Sequence, residues 1–96
     1  MNKVTVEKLN KYFDVTGRAL KKAESNIIKG KKQVGESEAK DFLDMAQRYF
    51  SDAKHFEKKR DIVNAFACLS YAHGWLDAGA RLGLFDVHDS ELFTAD

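Results

Sequence analysis

Three polar residues, His73, Asp77 and Arg81, stand at four-residue spacing in a segment otherwise made mostly of small and apolar residues. One helical turn separates each from the next, so a His73–Asp77 hydrogen bond and an Asp77–Arg81 ion pair are both within reach. Such a row could supply a general base oriented by a carboxylate, or two ligands of a metal. Asp52 and His55 on the preceding segment could add ligands, but His55 falls nearly opposite the apolar stripe of that segment. No HExxH, CxxC or ExxH pattern is present. Asp52, His73, Asp77 and Arg81 therefore read as a polar seam that fixes helix register, with no catalytic residue, metal or cofactor expected. Cys68, the one cysteine, has no base one helical turn away and reads as a small core residue.

A second pattern is electrostatic. Residues 1–35 hold nine Lys or Arg against three acids, and residues 36–96 hold seven against twelve, so charges of +6 and −5 meet in a net charge of +1. Lys8, Lys11, Arg18, Lys22 and Lys29 fall on one narrow stripe, which helical periodicity places opposite the apolar face of the first segment. A stripe of this kind suits contact with nucleic-acid phosphates or an acidic protein. No aromatic residues interleave for base stacking and no groove-reading motif is present, so a solvated helix face is the plainer reading.

These residues need elements to position them, and the periodicity supplies three helices. Val6, Leu9, Phe13, Thr16, Leu20, Ala23 and Ile27 follow at steps of three and four, predicting a helix over about 5–28. Thr5 is its N-cap, and Gly30 between Lys29 and Lys31 is its stop signal. The second helix spans about 37–59, with Glu36 and Glu38 at its N-terminus and Lys58, Lys59 and Arg60 at its end, as the helix dipole favours. Its apolar stripe, from Ala39 and Phe42 to Ala53 and Phe56, is broad enough for two neighbours. The third helix spans about 61–83, with Asp61 as N-cap, Gly83 as stop, and Leu84 placed to fold back on the last turn. The connection before it is so short that helices two and three must pack antiparallel. The result is an all-α, three-helix up-and-down bundle forming a single domain over residues 1–96. The acidic tail, 86–96, adds a half-turn around Leu92 and Phe93 or frays.

Helix three departs from an ordinary amphipathic wall. From Ile62 to Leu76 it has no Asp, Glu, Lys or Arg. Ile62, Ala65, Leu69, Ala72, Leu76 and Ala80 make an inward stripe, while Tyr71, Gly74, Trp75, Ala78 and Leu82 lie outside it. An uncharged outer face needs a cover. Either those five residues form a self-association or partner surface, a dimer being favoured, or the acidic tail folds over them.

Composition bounds the setting. Proline is absent, hydrophobic residues make up 44% and charged residues 32% of the 96-residue chain, the balance of a soluble globular domain. The N-terminus lacks a hydrophobic leader, no apolar run spans a bilayer, and the lone cysteine has no disulfide partner within the chain. A cytoplasmic protein without membrane contact is expected.

The run Tyr49-Phe50-Ser51-Asp52-Ala53-Lys54-His55-Phe56, then Asp61, then Ala65-Phe66-Ala67, Tyr71-Ala72-His73-Gly74-Trp75-Leu76-Asp77-Ala78-Gly79 and Arg81-Leu82-Gly83-Leu84-Phe85-Asp86 resemble a small archaeal family, the domain-of-unknown-function 357 proteins. The resemblance is close over the last half of the chain and general over helix one. It implies a three-helix bundle of archaeal origin with no established activity, and so no catalytic residues to carry over. It implies too that the family's character resides in Asp52, Tyr71, His73, Trp75, Asp77 and Arg81. The favoured function is a non-enzymatic interaction or scaffold domain that self-associates through helix three. The alternative is a nucleic-acid-associated accessory protein using the basic stripe.

Overall fold

The computed structural model describes residues 4–28 and 35–93. It contains three helices, α1 (Val6–Glu24), α2 (Glu36–Lys58) and α3 (Ile62–Arg81), with no strand among the described residues beyond one isolated bridge. This is the expected all-α three-helix bundle.

Local signals set most helix ends. The Thr5 side chain accepts from the Lys8 backbone N–H at 3.1 Å, and Asp61 Oδ1 accepts from that of Asn64 at 3.2 Å, satisfying donors that the first turns leave open. At the start of α2 the Glu38 carboxylate accepts from the Gly35 N–H at 2.8 Å, which holds its pKa below the usual carboxylate value. The end of α3 is a Schellman motif. Gly83 sits at φ 77, its N–H reaches Ala80 O at 3.0 Å, and the Leu84 N–H reaches Gly79 O at 2.9 Å. The same two-bond motif closes α2, where Arg60 N–H meets Glu57 O and Asp61 N–H meets Phe56 O, both at 2.9 Å. Here the left-handed position is held by Arg60, at φ 60, where glycine would be relaxed. Asp61 thus finishes one helix and caps the next.

α1 stops short of the expected residue 28. Ser25 is its C-cap, and the Asn26 side chain donates to Lys22 O at 2.7 Å. The Asn26 side chain thus hydrogen-bonds the backbone locally in competition with helix continuation. The following backbone then pairs with the tail: Ile28 N–H donates to Leu84 O at 2.9 Å, and Asp86 N–H donates to Asn26 O at 2.8 Å. Ile27 faces Phe85 in that antiparallel bridge, so its apolar side chain serves a non-helical segment. Gly30, Lys29 and Lys31 lie outside the described residues.

α2 and α3 share the largest interface in the bundle. Ala39, Ala46 and Ala53 recur every seven residues on α2, and Ala65, Ala72 and Gly79 do so on α3, all buried. Leu43 from α2 and Leu69 and Leu76 from α3 fill the seam between these small residues. Gly79 takes the inward place expected of Ala80, which is only half-buried. The cause is Phe85, whose ring lies where a β-carbon on residue 79 would be. α1 lays Leu9, Thr16, Ala19, Leu20 and Ala23 on this pair.

The tail after Gly83 is part of the core. Leu84, Phe85, Val87, Leu92 and Phe93 are all buried and pack with Ala19, Leu20, Ala23, Ala39, Leu43, Ala46 and Leu76. The half-turn expected near Leu92 forms: the N–H groups of Leu92 and Phe93 both reach Asp89 O, at 3.0 and 2.8 Å. Lys22 Nζ clamps the segment to α1 through Asp89 Oδ2 at 3.2 Å, and this contact, with the Glu91 and Leu92 N–H groups, holds the Asp89 pKa low.

Candidate functional site

The outer face of α3 is open. Tyr71 is 62% exposed and Leu82 is 66% exposed, Ala78 is exposed, and a β-carbon built on exposed Gly74 meets nothing within 4 Å. Trp75 is half-buried, its ring edge-on to Phe42 of α2 at 5.0 Å. Tyr71 stacks on Tyr49 of α2 at 5.2 Å, with the ring planes 22° apart. The face is therefore an aromatic strip across two helices with a small-residue notch at Gly74 and Ala78. Among the described residues the tail packs beside α1 and leaves this strip uncovered. The helical repeat puts Phe42 on the apolar stripe of α2; only the side-by-side packing of α2 and α3 makes it and Tyr49 part of this strip.

The polar seam is assembled in part, and around a residue not assigned to it. His73 Nδ1 is 3.2 Å from Thr16 Oγ1 on α1, and His73 Nε2 is 3.7 Å from Asp77 Oδ1. The first distance is a hydrogen bond and the second an electrostatic contact beyond hydrogen-bond length. Thr16 donating to Nδ1, with the Nε2 proton turned to Asp77, suits all three groups. Thr16 is 1% exposed. Asp52 is not in this group: it is exposed on α2, near the Cys68 thiol, whose pKa is raised by burial first and by the Asp52 carboxylate second. Arg81 is exposed on the last turn of α3, and His55 is exposed on α2 against its neighbour Phe56.

His73 and Asp77 line a cleft of about 340 Å³, walled by Lys11, Tyr12 and Val15 of α1, by Ser70 of α3, and by Ser90 to Phe93 of the tail. The tail's contribution could not be read from periodicity, because its apolar residues follow neither a helical nor a strand repeat.

The basic stripe does not lie on the far side of α1. The Lys8 ammonium is 5.6 Å from the Phe66 ring centre of α3, Lys11 lines the cleft, and Lys22 bonds the tail. α3 and the tail pack against the flank of α1 bearing Tyr12 and Val15, which brings this row to their rim. Arg18 is exposed and pairs with Asp14 at 3.5 Å. Lys29 lies outside the described residues. No group of three or more His, Cys, Asp or Glu able to hold a metal occurs among the described residues, and no helix there is long and apolar enough to cross a membrane.

No curated protein and no solved structure matches the chain. A family model does, over residues 11–85, a span that takes in most of α1, all of α2 and α3, and the start of the tail: the chain belongs to the family described as protein of unknown function, DUF357.

Proposed function

We propose that this protein is a non-enzymatic interaction module that pairs with a second copy of itself through the aromatic strip of α2 and α3. The observation that carries the reading is Gly74. A glycine inside an exposed helix lowers stability by about 1 kcal/mol relative to alanine, and at Gly74 no contact among the described residues requires it. Close approach of another backbone supplies a reason for it. A second copy suits the strip because α3 carries no ionised Asp, Glu, Lys or Arg between Ile62 and Leu76. An uncharged patch placed against itself across a twofold axis meets no like-charge penalty. Tyr71 and Trp75 are the residue types that anchor such contacts.

Sedimentation equilibrium of the purified chain tests this. A dimer is expected, converted to monomer by Gly74→Arg and by Tyr71→Asp, with the helical circular dichroism of each variant unchanged. A wild-type monomer at several hundred micromolar would overturn the proposal. The basic stripe of α1 gives less support to nucleic-acid binding, since Arg18 and Lys22 already hold carboxylates.

A further inference from the structure

α1 and α3 begin, and α2 ends, at one end of the bundle, where Tyr12 of α1 lies against Phe66 of α3 at 4.6 Å. Val6 and Val63 stand in the first turns of α1 and α3, 57% and 68% exposed. Exposed cations surround them on every side. Lys8 lies by Phe66 between α1 and α3, and Lys54 by Phe50, which faces Phe13 of α1, between α1 and α2. Lys58, Lys59 and Arg60 occupy the corner between α2 and α3. None of these five makes an ion pair among the described residues, whereas Arg18, Lys22, Lys40 and Arg48 each hold a carboxylate. Residues 4–10 and 54–66 set the five cations against three acids, Glu7, Glu57 and Asp61, for a net +2, and Asp61 is taken up in capping α3. Lys11 and Asp52, further from the end, cancel each other.

Arg60 adds an independent observation. It holds the left-handed position, at φ 60, that glycine would take without strain. Strain kept at an exposed corner points to a use for the side chain, and a guanidinium there suits phosphate. The shape selects the partner. The bundle is 47 Å long and 23 × 19 Å across, so this end is a blunt face with aliphatic tips inside a ring of cations. A rod-like polyanion would meet one side of the ring and leave the valines in water; a plane of anionic lipid meets all of it. We propose that this end seats on an anionic membrane surface, with Val6 and Val63 entering the headgroup layer and the five cations on lipid phosphates. The expectation of no membrane contact rests on the lack of a spanning run, and a surface contact needs none. The face lies outside the strip proposed for pairing and does not depend on it.

The test is co-sedimentation of the full chain with vesicles of pure phosphatidylglycerol, with phosphatidylcholine vesicles as the control without net charge. Half-saturation is expected at about millimolar lipid, weaker than a single myristoyl chain at about 10⁴ M⁻¹. No binding to phosphatidylcholine is expected, and release from phosphatidylglycerol at about 1 M salt, where charges are screened within about 3 Å. Val6→Ser combined with Val63→Ser leaves the charge unchanged and should weaken binding about fivefold or more. Lys58→Gln with Lys59→Gln should weaken it at least about tenfold, and Arg60→Gly about fivefold, the share of one cation near the surface. All these side chains are exposed, so the helical circular dichroism of each variant should match the parent. The proposal is overturned by no binding at several millimolar phosphatidylglycerol, by equal binding to phosphatidylcholine, or by a valine variant that binds as the parent does. It is overturned in favour of nucleic acid if a DNA duplex binds more tightly than the vesicles, loses that binding with Lys58→Gln and Lys59→Gln, and keeps it without the valines.

Discussion

Alanine substituted at Gly74 and, separately, at Gly79 sets one gain against two different surroundings on the same helix. In each case the helix gains about 1 kcal/mol, because glycine loses more backbone freedom than alanine on folding. At Gly74 nothing opposes this gain, since the added β-carbon meets no atom within 4 Å. Gly74→Ala should therefore stabilise the monomer by about 1 kcal/mol, raising Tm by about 4–8 °C for a domain of this size. At Gly79 the added carbon falls within 3.0 Å of the Cδ2 and Cζ atoms of Phe85, and closer still to its Cε2. Phe85 is 2% exposed, so its ring has nowhere to turn without moving Leu84 or the core beneath it. Overpacking of this sort costs about 1–3 kcal/mol, and expelling the ring costs about 3–5 kcal/mol. Set against the helix gain, Gly79→Ala should destabilise by up to about 2 kcal/mol if the ring shifts in place and by about 2–4 kcal/mol if it is expelled. Urea and thermal melts at dilute, monomeric concentration measure both. A double-mutant cycle with Phe85→Ala isolates the cause: in that background Gly79→Ala should become stabilising. If Gly79→Ala stabilises the protein by as much as Gly74→Ala does, Phe85 does not rest on α3, and the account of the docked tail fails.

Arg60→Gly should raise stability by about 0.5–1 kcal/mol, because relief of a left-handed non-glycine residue outweighs the entropy glycine adds to the unfolded chain; an unchanged or lower Tm would contradict the φ of 60 assigned there. Glu38 and Asp89 both have pKa values held below their unfolded ones. Their stabilisation is complete above about pH 4–4.5 and is lost as pH falls through the folded values. Glu38→Gln and Asp89→Asn should each lower Tm at pH 7 and flatten its fall in acid, which a Tm series from pH 7 to 3 would show. Cys68, with its thiol raised by burial and by Asp52, should react slowly with an aromatic disulfide reagent at pH 8, and Asp52→Asn should quicken it. Reaction at the rate of free cysteine in the parent protein would refute that description.

The parts of this molecule that follow from neighbouring residues are readable in its sequence. Thr5, Asp61, Gly83 and Leu84 cap and stop helices through contacts three to five residues away, and the side chains at those positions suffice to recognise them. The end of α1 is not legible locally because Ile27 continues the helical repeat, while its partner, Phe85, is set by a distant bridge. The tail is not legible from sequence because its acids favour solvent and its apolar residues have no period. Burial of Leu92 and Phe93 is decided by the surface that α1 and α3 jointly offer them. Thr16 passed as one more residue of an apolar stripe; its role depends on His73, 57 residues away in the chain. The uncharged span of α3 did point to an exposed strip, but the Tyr49–Tyr71 stack within it needs the register of two helices.

The double duty of Asp61 bears on how the chain folds. It completes the closing motif of α2 and caps α3, so the two helices are joined without slack and their seam forms between residues near in sequence. Contacts of that kind incur little loop-closure entropy and are made early. The α2–α3 hairpin is thus the natural nucleus, with the bridge between residues 26–28 and 84–86 closing late. Weakening the hairpin would slow folding, while loosening Lys22 from Asp89 would chiefly hasten unfolding.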